Sequence, residues 1–124
     1  MKDFNYHSAK DSKEASKLAS SSSAFLAGGM TTIPSMKLGL ATYKDLIDIK
    51  NIKKLSGIKV SGKSVTIGAA TKHVEVANSK DVKKAIPSLS SLAEGIGDPQ
   101  VRNRGTIGGS IQIMIHQLTI HLHV

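Results

Sequence analysis

Apolar residues in the first fifty positions fall into short clusters separated by capping and turn residues. Phe4 to His7 reads as a short strand or entry segment. Asp11-Ser12-Lys13-Glu14 has the form of a capping box, with Asp11 as N-cap and Glu14 three residues on, and Ala15, Leu18 and Ala19 follow at helical spacing. The serine run Ser20 to Ser23 ends that helix, and Ala24-Phe25-Leu26 reads as a short buried strand. After the turn at Ala27-Gly28-Gly29, Thr31 or Thr32 caps a predicted helix carrying Ile33, Met36, Leu38 and Leu40, with Pro34 tolerated in its first turn. Leu46-Ile47-Asp48-Ile49 is the next strand. Alternating strands and helices favour parallel pairing.

The pattern then changes. Ile58 and Val60, then Val65 and Ile67, alternate around Ser61-Gly62-Lys63, which predicts a hairpin. Thr71 is expected to cap a helix through Val74 and Val76, and Asp81 another through Val82 and Ala85. Pro87 breaks the chain, and Leu89, Leu92 and Ile96 predict one more short helix. Arg104 to Ser110 reads as a glycine-rich loop.

Composition narrows the function classes. Of 124 residues, 40% are hydrophobic, which suits one domain with a modest core. Lys plus Arg is 17 and Asp plus Glu is 9, a formal charge of +8 that attracts anions in general. The lysines are spread along the chain rather than clustered, and aromatics are only 3%, too few for a stacking platform along single-stranded nucleic acid. The absence of cysteine excludes thiolate metal sites and iron–sulfur ligation by this chain, and fits a cytoplasmic setting. No apolar run approaches the ~20 residues of a membrane span, and Met1-Lys2-Asp3-Phe4 does not begin a signal peptide.

Gly57-Ile58-Lys59-Val60-Ser61-Gly62-Lys63-Ser64 satisfies the P-loop pattern. A P-loop opens a helix directly after Lys-Ser, whereas Val65-Thr66-Ile67-Gly68 is strand-like, so a tight turn between strands is the preferred reading. A P-loop nucleotide binder and a small basic module for nucleic acid or another polyanion stand as alternatives.

Two segments carry the stronger signal. Ala27-Gly28-Gly29-Met30-Thr31 and Thr106-Ile107-Gly108-Gly109-Ser110 each set two glycines beside a hydroxyl residue. Glycine permits close backbone approach and positive φ, and successive backbone N–H groups can converge on one anion. Two such loops could clasp a pyrophosphate from both sides. Neither matches G-x-G-x-x-G, so a Rossmann dinucleotide site is not supported.

The longer strings around them resemble the two flavin loops of the medium subunits of molybdenum hydroxylases. Ala27-Gly28-Gly29-Met30-Thr31-Thr32-Ile33-Pro34-Ser35-Met36-Lys37-Leu38 resembles the first. Ile96-Gly97-Asp98-Pro99-Gln100-Val101-Arg102-Asn103-Arg104-Gly105-Thr106-Ile107-Gly108-Gly109-Ser110 resembles the second. Asp48-Ile49 and Ile67-Gly68-Ala69-Ala70-Thr71 are also similar, and Asp98-Pro99-Gln100 looks closer to the carbon monoxide dehydrogenase branch than to xanthine dehydrogenases. The likeness runs over residues 4 to 111. Met30, Thr32 and Gly39 depart from the family pattern; a basic side chain common at the last position is missing.

The resemblance implies an α+β, FAD-binding fold of the vanillyl-alcohol-oxidase (PCMH) type. Residues 1–55 would form a small first lobe with parallel strands, and 56–111 the incomplete start of an antiparallel second lobe. Ala27, Gly28, Gly29, Met30, Thr31, Thr106, Ile107, Gly108, Gly109 and Ser110 would contact FAD, with Lys37 supporting the first loop and Arg102 the second. It implies no catalytic residue and no metal ligand in this chain. The molybdenum cofactor would sit on a large partner subunit and the iron–sulfur clusters on a small one, passing electrons to FAD and on to an acceptor.

Past Ile111 the resemblance stops. Spelling Gln112 onward in synonymous codons and placing one G in front regenerates the family's Ala-Asn-Asn-Asp-Pro continuation. At Met114-Ile115 the aspartate follows whatever the codons, because ATG followed by AT always contains GAT. Residues 112–124 are therefore expected to be an out-of-frame tail, with His116, His121 and His123 accidental rather than metal ligands. The fragment is expected to be incomplete for activity and to bind FAD weakly or not at all.

Overall fold

The computed structural model describes residues 1–113. Its first part is strand, helix, strand, helix, strand: β1 (Asn5–Ser8), α1 (Ser12–Leu18), β2 (Ser23–Leu26), α2 (Thr32–Lys37) and β3 (Asp45–Asp48). The strands form one parallel sheet in the order β1-β3-β2, with Tyr6 and Ala24 both in register with Leu46. Parallel neighbours need crossover connections, and α1 and α2 lie in them. The central strand is the most buried, with Leu46, Ile47 and Asp48 all inaccessible. Ile47 packs with Ala9, Ala15 and Ile52, and Leu18, Ile49 and Leu55 close the cluster. The edge strand β2 is only half-buried, and Phe25 is 41% exposed, so the expected buried strand is corrected here.

Asp11 caps α1 as expected, its carboxylate accepting from the Glu14 N–H at 2.8 Å. The return bond differs from a capping box: the Glu14 carboxylate accepts from the N–H of Lys10. Helix α2 ends at Lys37, so Leu38 and Leu40 fall outside it and stay exposed, leaving Met36 as its buried residue. Thr31 precedes α2 without a side-chain cap bond.

After a single 3-10 turn at Lys53–Leu55 come β4 (Ile58–Ser61) and β5 (Ser64–Ile67), antiparallel around a tight turn at Gly62-Lys63. The segment that follows Lys63-Ser64 is thus a strand, and the P-loop alternative is set aside. Helices α3 (His73–Asn78), α4 (Lys80–Ala85), α5 (Pro87–Glu94) and α6 (Pro99–Arg104) follow, and a further helix, α7, occupies 107–113. Among the described residues no helix is long and apolar enough to cross a membrane.

Two expected caps move. Thr71 does not cap α3: it is fully buried, its hydroxyl accepting from the Gly57 N–H at 2.9 Å and lying 3.2 Å from the Gly57 carbonyl. Instead the Glu75 carboxylate accepts from the N–H of Lys72. Helix α4 is capped by Ser79, whose hydroxyl accepts from Val82 N–H, rather than by Asp81.

The second apolar cluster joins Val76, Ala77, Val82 and Ala93, flanked by Ile58, Val65, Ile67, Leu89 and Ile107. Burying Val76 and Val82 completely stabilises the fold by about 1.5–3 kcal/mol each. Helix α5 meets α3 through small residues, Ser90 and Ala93, and the Ser90 hydroxyl donates to the Ala77 carbonyl at 2.8 Å. Leu92, expected on the buried face, is 65% exposed.

Candidate functional site

The loop Ala27–Thr31 leaves the carboxyl end of β2, where sheets of parallel strands place ligands. It runs directly against the junction between α6 and α7. A Cβ on Gly28 would overlap the Arg104 carbonyl oxygen and stand 2.7 Å from its carbon. Gly29 has φ of +74°, which turns the chain away from the sheet into α2. On the other side, a Cβ on Gly108 would stand 2.7 Å from both the Cβ and the carbonyl oxygen of Ala69. Both positions accept glycine alone.

The two diglycine segments face a common cleft of about 850 Å³, within the range usual for small-molecule sites. Ala27, Gly28, Gly29, Met30 and Thr31 line one wall, and Gly105, Thr106, Gly108, Gly109 and Ser110 the other. Lys37, Arg102 and Ile107 are not on the cleft. Lys37 is exposed at the end of α2. Arg102 donates through Nη1 to the carbonyls of Ile96 and Gly97, each at 3.2 Å, and so pins the turn that enters α6. Ile107 packs against the second apolar cluster.

The two walls differ in what they can donate. The N–H groups of Gly28, Gly29, Met30 and Thr31 have no hydrogen-bond partner among the described residues. The second segment, expected as an open loop, is instead the start of α7, and its amides are engaged. Ile107 donates to Thr71 O, Gly108 to Ala69 O, Gly109 to the Thr106 hydroxyl and Ser110 to Thr106 O, at 2.9–3.2 Å. The reason lies across the fold: Thr106 pairs with Lys72 in an isolated antiparallel bridge, then serves as N-cap of the helix. Amide donors therefore come from the first wall, and the second contributes hydroxyls and a close-packed backbone.

Several cleft residues had no sequence motif to mark them. Phe25 and Tyr43 lie on it, one of the two phenylalanines and one of the two tyrosines of the chain. His73, at the start of α3, is 4% exposed and its Nε2 lies 3.0 Å from Ser110 Oγ. Burial holds its pKa below the ordinary 6.5.

Behind the first wall, Asp48 ends the central strand and is almost fully buried. Burial alone would raise its pKa. Bonds from the Tyr6 hydroxyl, the Lys50 N–H at 2.9 Å and the Lys50 ammonium at 2.9 Å outweigh it and hold the carboxyl below its ordinary value. This network fixes the carboxyl end of the sheet from which the loop departs.

Comparison with known proteins agrees with this architecture. The family described as the FAD binding domain in molybdopterin dehydrogenase matches residues 2–119, running past residue 111. The carbon monoxide dehydrogenase medium chain of Hydrogenophaga pseudoflava is 45% identical over 111 residues, which cover 87% of this chain and 39% of that one. The structure of that organism's carbon monoxide dehydrogenase lacking the Mo-pyranopterin moiety superposes with a TM-score of 0.85 at the same coverage. Reconstituted carbon monoxide dehydrogenase from Oligotropha carboxidovorans gives 0.84 at 37% identity, over 87% of this chain and 39% of that chain. The chain thus spans well under half the length of these relatives. A parallel first sheet, an antiparallel hairpin after it and glycine-lined walls facing one cleft accompany the sequence match, and the chain belongs to the FAD binding domain family of the molybdopterin dehydrogenases.

Proposed function

We propose that this chain holds the diphosphate bridge of FAD in the cleft between the Ala27–Thr31 loop and the Gly105–Ser110 segment. It would do so as part of the flavin-bearing medium subunit of a molybdenum hydroxylase of the carbon monoxide dehydrogenase type. The observation that carries this reading is the meeting of two diglycine segments, far apart in sequence, on one cleft.

In this role the amides of Gly28 to Thr31, without a partner among the described residues, donate to phosphate oxygens, as successive N–H groups do in anion-binding concavities. The Thr31 and Ser110 hydroxyls add neutral donors. Gly28 and Gly108 let the two walls pack closely, Gly28 on the Arg104 carbonyl and Gly108 on Ala69. Lys37 and Arg102 act from outside the cleft, Arg102 by holding the turn before α6. Phe25 and Tyr43 offer aromatic faces to the ring ends of the ligand. Bound FAD supplies an acceptor for electrons delivered from a molybdenum cofactor on a large partner subunit through iron–sulfur clusters on a small one.

Calorimetric titration of the chain with FAD, with ADP and riboflavin as competitors, tests the assignment. ADP displacing FAD and riboflavin failing to do so is the expected result. The affinity is expected to be weak, and a flavin bound without hindrance from ADP, or riboflavin displacing FAD as well as ADP does, removes the diphosphate site.

A further inference from the structure

We infer that His73 is a positioning residue for the cleft: its neutral Nε2–H tautomer donates to Ser110 Oγ and so turns the Ser110 hydroxyl hydrogen toward the ligand. This deepens the diphosphate reading and rests on it.

The geometry constrains the ring closely. His73 Nε2 and Ser110 Oγ are 3.0 Å apart, and both residues line the cleft. A Cβ on Gly105 would stand 3.1 Å from His73 Cδ2, so glycine there lets the ring sit against the α6–α7 junction. The His73 N–H donates to the Gly105 carbonyl at 3.0 Å, which ties the start of α3 to the same junction. The imidazole is therefore held by main chain and by packing, not merely by its bond to serine.

The tautomer follows from what an anionic ligand requires of Ser110. Burial keeps the ring uncharged at neutral pH, so one nitrogen carries a hydrogen and the other does not. Nδ1 has no partner among the described residues. No buried side-chain nitrogen among the described residues lacks a partner, so Nδ1 stays open to water, which can donate to its lone pair. A proton on Nε2 finds Ser110 Oγ. The serine then accepts from the imidazole and keeps its own hydrogen to give. With the opposite tautomer the serine would donate to Nε2 and show only lone pairs to the cleft, which repel a phosphate oxygen. Only one arrangement makes the second wall a donor, where its amides are already engaged.

Long-range nitrogen–proton correlation spectra of the chain at neutral pH, with His73 identified by loss of its signals in His73→Gln, read the tautomer directly. An Nε2–H pattern is expected, and an Nδ1–H pattern overturns the inference. Binding gives an independent reading. Ser110→Ala and His73→Ala should each weaken ADP binding by about 3- to 10-fold, one neutral hydrogen bond. The double variant should weaken it no further, and His73→Gln, which can present an amide N–H, should recover most of the loss. Additive losses, or His73→Ala binding like the parent while folded by circular dichroism, overturn it. If the parent chain binds neither FAD nor ADP, the spectra still decide the tautomer.

Discussion

Gly28 lies against the carbonyl of Arg104, close enough that a Cβ would overlap its oxygen. This contact seats the first loop on the α6–α7 junction and sets the width of the cleft between them. Gly28→Ala must move one of two backbones, since no flexible side chain is there to yield. It should destabilise the chain by about 1–3 kcal/mol, the range for overpacking, and weaken ADP binding in the fraction that remains folded. Thermal unfolding with and without ADP measures both, and an unshifted melting temperature with unchanged affinity would show that the contact is dispensable.

The second diglycine is asymmetric. Gly108 faces backbone and Cβ of Ala69, while a Cβ on Gly109 would meet the Thr106 hydroxyl at 3.1 Å as its main neighbour. Gly109 is also helical, where alanine gains about 0.8–1 kcal/mol in propensity. Gly108→Ala should lower the melting temperature, and Gly109→Ala should leave it level or raise it. Equal effects of the two substitutions would contradict the packing described for α7.

Ser90 sits where α5 crosses α3, buried, with its hydroxyl bonded to the Ala77 carbonyl. A larger side chain there would have to part α5 from α3. Ser90→Leu should cost about 1–3 kcal/mol through overpacking, whereas Ser90→Ala loses only the hydrogen bond, about 1 kcal/mol. Chemical denaturation of both variants gives the order, and a more stable Ser90→Leu would mean that the helices have room to part.

These cases show where the sequence was legible. Short apolar runs between turn residues found β1, β2 and β3, helical spacing found α1 and alternation found the β4–β5 hairpin, although the burial expected of β2 did not follow. Periodicity misplaced the buried face of α5, since Ser90 and Ala93 are inside for their small size rather than their apolarity while Leu92 is outside. It misread Thr71 as a cap because a hydroxyl that bonds its own helix and one that bonds Gly57 across the fold look alike in sequence. The diglycines were visible as a pair, but two glycines in succession argue for a loop, and the Thr106 cap that turns Gly108 and Gly109 into a first helical turn depends on the distant bridge to Lys72. His73 was invisible as a site residue for the same reason: its partner Ser110 is brought to it by tertiary contacts.

Stability should fall with acid in two steps, the upper from His73 and the lower mainly from Asp48. His73 has a folded-state pKa below its ordinary 6.5, so between those values the unfolded chain binds more protons, and stability present above pH 6.5 is lost as pH falls toward the folded value. Asp48 has a folded-state pKa below its ordinary 3.8, so its contribution is present above that value and is lost as pH falls through the folded one, when protonation breaks the network with Tyr6 and Lys50. His73→Gln should flatten the upper step and leave the lower. Asp48→Asn should shrink the lower step without removing it, because the bond from His7 holds Asp45 below 3.8 as well, and it should also reduce stability at neutral pH by about 1–3 kcal/mol, because an amide cannot accept from all three donors as well as a carboxylate does. Denaturation midpoints for the parent and both variants between pH 7 and pH 3 resolve the two steps. A parent profile that is flat above pH 4, or an upper step that persists in His73→Gln, would mean that the buried imidazole is not the group responsible.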